Sequence, residues 1–256
     1  MKTAIYLIAG AALFASGAGA GAEVRFGIMN EAYPPFFTKD ASGKWIGWEI
    51  DLMDAICSEM KESCSVVDMS WDGLIPGLQS KKFDVIWSSM SITDERKKTI
   101  AFTNKYYNTP SKLIGAQDGK SGTTADDVAG KTIAIQVSTV QTEYYKKHFA
   151  SVADEKTYAT LDEAFQDLAV GRVDYVFGDS IPLMTFLGSD FGKDCCEDKG
   201  NVQDDPDVLG QGIGGGLRKE DSELLARLNA AITAIRANGK YAEISKKYFN
   251  FDPYGE

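Results

Sequence analysis

The sequence predicts an α/β protein of two lobes, each a central, mostly parallel sheet flanked by helices. Three observations carry that prediction. Apolar runs of strand length alternate with amphipathic helical segments along almost the whole chain, the pattern of βαβ units. The alternation restarts at "KLIGAQ", which points to a second sheet rather than one long one. Two segments, "LIPGLQSKKFDVIWSSMS" and "AFQDLAVGRVDYVFGDS", echo one another as a helix, a basic turn, an apolar strand and a polar cluster.

In the first lobe "EVRFGIM" reads as a strand. "WEIDLMDAICSEMK" reads as a helix with Ile50, Met53, Ile56 and Met60 on one face. "CSVVDMS" is a strand, "DGLIPGLQSKK" a short helix, "FDVIWSS" a strand and "DERKKTIAF" a helix start. In the second lobe "TADDVAG", "STVQTEYYKKHFA" and "LDEAFQDLAVGR" read as helices between the strands "KTIAIQV", "KTYAT" and "VDYVFGD". The glycines of "DDPDVLGQGIGGGLRK" mark a crossing back to the first lobe, and no lysine-serine ending makes them a phosphate loop. The tail is a helix with Leu225, Leu228, Ile232 and Ile235 on its core face, capped at Asp221 or Ser222 and ended by Gly239. The expected lobes are residues 23–111 with 210–256, and residues 112–209.

Residues 1–22 have a basic start (Lys2), an apolar run from Ala4 to Ala15 and small residues ending in Ala20 and Ala22. This is the three-part pattern of a cleaved export signal, and its apolar run is shorter than the ~20 residues needed to span a bilayer. The mature chain is expected to be exported. The net charge of −10 argues against nucleic acid, which is bound through clustered Lys and Arg. In an exported chain cysteines read first as disulfides. Cys57 and Cys64 would join the end of a helix to the start of the next strand, while adjacent Cys195 and Cys196 leave a strained bond, free thiols or an intermolecular bond open.

The only histidine, His148, reads as a surface or half-buried helix residue, so neither a catalytic triad nor a zinc site is indicated; no metal, cofactor or catalytic residue is expected. "SSMSITDERKK" does offer an anion socket. Ser91 or Thr93 can cap the helix, its first-turn N–H groups are free, and Arg96 lies within reach for a planar contact that suits a carboxylate. An ordinary helix start has the same pattern. Because ligands of open α/β sheets bind beyond the carboxyl ends of the strands, the echo places Ser88–Ser91 and Asp179–Ser180 at equivalent positions, one in each lobe. Tyr33 and Trp71 follow strands too, and would either be buried or clamp a ligand.

Taken together, "GIMNEAYPPF", "GKWIGWEIDLMDAIC", "WDGLIPGLQSKKFDVIWSSMSITDERKKTIAFTNKYY", "AVGRVDYVFGD" and "GGGLRKEDSEL…NGKYAEISKKYFNFDPYG" resemble the polar amino acid-binding periplasmic proteins of bacterial ABC importers. The similarity is greatest to the lysine/arginine/ornithine- and histidine-binding branch and its opine-binding relatives, and it runs through the whole mature chain. The resemblance implies the type II periplasmic binding protein fold, two lobes closing by a hinge of two crossing strands, and a membrane permease as partner. It implies a monomer that binds a polar L-amino acid, with basic ones among the candidates, or a conjugate such as an opine.

By position, the resemblance implies that Arg96 grips the ligand α-carboxylate with the backbone N–H groups of Ser91 and Val140. Asp179 would take the α-ammonium with the Ser89 carbonyl and the Ser91 hydroxyl. Tyr33 and Trp71 would sandwich the side chain beside Ser88, with Met90 and Gln136 completing the set, and Cys57–Cys64 matches a disulfide of the histidine-binding branch. Departures concern the side-chain end. "GIMNEAY" is one residue longer and offers Asn30 and Glu31 where cationic binders carry an aspartate; Glu49 stands where aspartate is common; Ser138 and Val140 replace glycine and threonine. A second expectation is a dehydratase acting on cyclohexadienyl acids, which share this fold. It would need a cleft acid of raised pKa, for which Glu31 and Glu49 are the candidates.

Overall fold

The strand–helix alternation resolves into two separate five-stranded sheets. The computed structural model describes residues 23–255, so the expected export signal lies outside the described residues. From the amino end come β1 (Val24–Met29), a hairpin of β2 (Thr38–Lys39) and β3 (Trp45–Ile46), α1 (Trp48–Met60) and β4 (Cys64–Met69). A 3-10 turn at Trp71–Gly73 runs into α2 (Leu74–Gln79), then β5 (Val85–Ile86), α3 (Asp94–Lys97) and β6 (Ala101–Phe102). The chain then crosses to β7 (Ser111–Ala116), α4 (Ala125–Val128), β8 (Thr132–Gln136), α5 (Val140–His148), β9 (Asp154–Tyr158), α6 (Leu161–Ala169) and β10 (Tyr175–Asp179). After α7 (Ser180–Leu187), α8 (Asp190–Cys195), β11 (Cys196–Asn201) and α9 (Pro206–Leu209) it returns to β12 (Gly216–Leu217), α10 (Ser222–Ala237) and α11 (Lys240–Ser245).

The first sheet has the order β4-β1-β5-β12-β6 and the second, read in the matching sense, β9-β8-β10-β7-β11. β1 is parallel to β4 and β5, and β8 is parallel to β9 and β10. β12 and β7 run against both of their neighbours. Each sheet is therefore parallel except for one strand, and that strand is the first the chain makes after crossing over. The sequence echo is a topological equivalence: β5 and β10 hold the same place, between an inner parallel strand and the reversed one.

Local chemistry explains the elements that frame the cavity. β1 is buried along almost its whole length, as a strand covered on both faces should be. α1 buries Ile50, Met53 and Ile56 as the spacing predicts, ends at Lys61 in the left-handed region (φ 59°), and is tied to β4 by the Cys57–Cys64 bond. Thr160 and Glu163 form a capping box at the start of α6. α10 turns Leu228, Ala231, Ile232 and Ile235 inward.

Several expectations need adjusting. Only Val85–Ile86 of "FDVIWSS" is a strand; Trp87 still donates its N–H to the Gly27 carbonyl of β1, and the chain from Ser88 onward turns away to become cavity wall. The helix expected at "DERKKTIAF" is four residues long. β11 was hidden by its charges: it is a strand in which Lys199 is buried and satisfied by Glu197 and the Gly119 carbonyl. Cys195 and Cys196 are bonded to each other at the joint of α8 and β11.

Gly47 sets the start of α1 against the loop after β1. Its φ is 135°, and a Cβ there would lie 2.3 Å from the Phe36 carbonyl oxygen. Gly47→Ala is therefore expected to cost at least about 2 kcal/mol of stability. Urea unfolding checks this; an unchanged midpoint would show that the contact relaxes freely.

Candidate functional site

A cavity of about 430 Å3, counted to its open mouth, lies between the two sheets. Its walls come from the carboxyl ends of strands in both: Met29 ends β1, Trp71 follows β4, Ser88, Ser89 and Ser91 follow β5, Gln136 ends β8, and Phe177, Gly178 and Asp179 end β10. This is the place where α/β sheets hold ligands. Arg96, Tyr33, Thr139, Val140, Gln141 and Leu161 complete the lining.

Arg96 is brought there by the shortness of α3. The Thr93 hydroxyl caps the helix by accepting from the Arg96 N–H at 3.2 Å. The side chain then turns back: Nη1 donates to the Ser91 carbonyl at 3.0 Å and Nη2 to the Ser138 carbonyl, on the other side of the cleft, at 3.2 Å. The guanidinium carbon lies 5.6 Å from the centre of the Trp71 ring. Burial pushes its pKa down to about 10, with Asp179 opposing the shift.

Asp179 is the counterpart on the second sheet. Its Oδ2 accepts from the Tyr33 hydroxyl at 2.9 Å, across the cleft, and its Oδ1 from Gln141 Nε2 at 2.8 Å. Gln141 is also 2.9 Å from the Ser111 hydroxyl, and Tyr33 is held by stacking on Phe36 and Phe37. Burial raises the Asp179 pKa, against these two hydrogen bonds and the Arg96 charge. Among the described residues neither Arg96 nor Asp179 makes a salt bridge. One cavity thus presents a cation and an anion, both partly buried and held by neutral partners. Trp71 adds a buried indole N–H without a partner among the described residues.

Such a cavity is complementary to a zwitterion. The profile of the bacterial extracellular solute-binding proteins, family 3, matches residues 24–251. The chain belongs to that family. It is 42% identical to the L-arginine-binding protein of Pseudomonas aeruginosa over 234 residues, 91% of this chain and 90% of the relative. It is 38% identical to the lysine/arginine/ornithine-binding periplasmic protein of Escherichia coli, covering 99% of this chain and 98% of that one. A solved arginine-specific periplasmic binding protein of Salmonella typhimurium superposes with a TM-score of 0.81 at 29% identity, over 89% of this chain and 99% of that one.

Within the solute-binding family frame, the structure brings Tyr33, Trp71, Ser88, Ser89, Ser91, Arg96, Gln136, Val140 and Asp179 to one cavity. Five other residues expected to bind ligand do not line it. Asn30 is exposed at the end of β1, and Glu31 is half-buried at the rim, 3.5 Å from Gln136 Nε2. Met90 is buried with 2% of its surface exposed, and Ser138 is exposed and contributes its carbonyl to Arg96. Glu49 is fully buried behind Ser89 because it sits in the first turn of α1, facing the sheet. Its carboxylate accepts from the Ser89 N–H at 3.0 Å, from the Ser89 hydroxyl at 3.1 Å and from the Tyr106 hydroxyl. The lining residues missed by the sequence reading are Met29, Thr139, Gln141, Leu161, Phe177 and Gly178. Gln141 had one legible signal, its place in the first turn of a helix directly after a strand's carboxyl end.

The family's named relatives are binding proteins. Neither acid considered for a dehydratase, Glu31 or Glu49, lies in the cavity wall, so the enzyme reading loses its general acid.

Proposed function

We propose that this protein captures an L-α-amino acid with a cationic side chain, arginine, lysine or ornithine, and presents it to an inner-membrane ABC permease. The observation that carries this reading is the opposition of Arg96 and Asp179 in one cavity between two sheets. Arg96 would take the α-carboxylate through its planar fork, with the Ser91 and Val140 N–H groups. Asp179 would take the α-ammonium with Ser89 and Ser91, and Tyr33 and Trp71 would flank the side chain. We take residues 1–22 as a cleaved export signal, and the working unit as a monomer.

The lobes correspond to residues 23–111 with 210–256, and 112–209, although Ser111 already pairs with Asp179 in the second sheet. A zwitterion reaches Arg96 and Asp179 together only when the lobes are closed, so it shifts the population toward closure by its differential affinity. Glu31 supports a cationic side chain. Burial raises its pKa, and the nearby Asp162, Glu163 and Asp72 raise it further, so the rim is a locus of negative potential. The arginine and lysine/arginine/ornithine specificities of the relatives point the same way.

Calorimetry against arginine, lysine, ornithine, histidine, glutamine, glutamate and an opine tests the reading. The cationic amino acids are expected to bind tightest and glutamate weakest. Glu31→Gln should weaken arginine by only a few-fold, on the order of 1 kcal/mol, because a rim charge is screened. Absence of binding by every amino acid would overturn the assignment.

A further inference from the structure

Glu49 is the buried acid that the binding scheme leaves unused. It has no exposed surface, and both of its carboxylate oxygens accept from Ser89, one from its N–H and one from its hydroxyl. Ser89 needs such a clamp. Its φ is 53°, a left-handed conformation that a residue other than glycine holds only when its surroundings fix it, and it stands in the cavity wall. The clamp is itself anchored. The Tyr106 hydroxyl donates to the same carboxylate, Tyr106 stacks on Trp87 with ring centres 4.1 Å apart, and Trp87 Nε1 donates to the Glu49 carbonyl at 2.9 Å.

We propose that Glu49 is a positioning residue for the Ser89 corner of the cavity, and that ligand binding is coupled to ionisation of its carboxyl group, so that affinity falls on acidification. The inference rests on the amino-acid reading of the cavity. Only the ionised carboxylate can accept all three hydrogen bonds. A proton on Oε2, the oxygen that accepts from the Ser89 hydroxyl, has to be donated to that hydroxyl instead, reversing the bond and releasing the Ser89 hydrogen.

The groups facing Glu49 favour this coupling. They are Ser89, Tyr106, Tyr107, Tyr33 and Asp179, with Tyr241 of α11 donating to the Tyr106 carbonyl. Burial pushes the Glu49 pKa up to about 7, against the Tyr106 and Ser89 hydrogen bonds, and the Asp179 charge adds to the rise. An α-ammonium at Asp179 and Ser89 offsets that charge and stabilises ionised Glu49. The liganded pKa is then lower than the free one, so the added affinity is present above the free value and is lost as pH falls through it. By reciprocity, binding near pH 7 releases protons. Affinity changes by up to about tenfold for each unit by which ligand lowers the titration midpoint.

Proton release is measured by titrating L-arginine at pH 7 in two buffers of different ionisation enthalpy, in a His148→Gln background so that the single histidine does not contribute. Asp179 shifts in the same direction, so the diagnostic is a difference between variants. Release is expected with Glu49 present and is expected to shrink in Glu49→Gln, whose affinity should be flatter between pH 6 and 8. Tyr106→Phe, which removes one bond to the carboxylate, should move the release midpoint upward, and it serves if Glu49→Gln does not fold. Arginine binding with equal proton release with and without the Glu49→Gln substitution, or an unmoved midpoint in Tyr106→Phe, overturns the coupling alone. Absence of binding by every amino acid overturns the functional reading and the coupling with it.

Discussion

Arg96→Ala is expected to weaken binding of the preferred amino acid by about a thousandfold or more, on the order of 4 kcal/mol, while the protein stays folded. The size follows from what remains: a ligand carboxylate enclosed in the cavity with its charged partner gone. The fold should survive because the guanidinium is held there against burial, which pulls its pKa down to about 10, and it makes only two hydrogen bonds, both to carbonyls. Arg96→Lys should recover little, since a point charge cannot reproduce two parallel N–H groups. Calorimetry with a parallel melting curve checks this. Near-normal affinity in either variant would remove Arg96 from the ligand.

Asp179→Asn is the complementary experiment and keeps the shape of the side chain. The amide oxygen can still accept from Gln141, and Tyr33 can turn its hydroxyl to accept from the new amide. What is lost is the anion, and affinity should fall by about 3 kcal/mol, roughly a hundredfold, for a charged hydrogen bond to an ammonium. Burial raises the Asp179 pKa, so the carboxylate is ionised at a cost in the free protein. The variant's melting temperature in the absence of amino acid should therefore equal or exceed that of the unmodified protein. A clear loss of stability would mean that Asp179 serves the fold and not the ligand. Opposite effects on affinity and stability are the mark of a group kept for binding.

Together these variants separate the grip on the α-amino acid core from selectivity for its side chain. In the proposed scheme the core is held by groups from both sheets, and the rim acid Glu31 acts through a partly screened field. Loss of the first is expected to weaken binding of every amino acid about a hundredfold or more, whereas loss of the second is expected to redistribute preference among them.

Much of the fold was legible because its signals are local. The core faces of α1 and α10 and the buried strand β1 follow from residue type at fixed spacing. The equivalence of β5 and β10 was visible as an echo because both strands end in a polar cluster after the same helix and turn. Asp179 was nameable because it ends β10, and Arg96 because it stands in the short helix that follows the polar cluster after β5.

What could not be read was depth. Glu31 and Glu49 look alike in sequence as acids near a predicted cleft, yet one lies at a half-exposed rim and the other is sealed behind Ser89. That difference depends on how α1 packs beneath the sheet, where Gly47 lets it start against the Phe36 carbonyl. Gln141 was hidden for the same reason: its value lies in reaching Asp179 and Ser111, partners 38 and 30 residues away in the chain. Residue order alone carried the two-lobed α/β class and the paired polar strand ends, because periodicity and strand-end position are properties of neighbouring residues; the opposed roles of Arg96 and Asp179 came from the family resemblance. Which polar groups touch the cavity and which stand behind it came only from the folded arrangement, because burial is set by packing between elements distant in the chain.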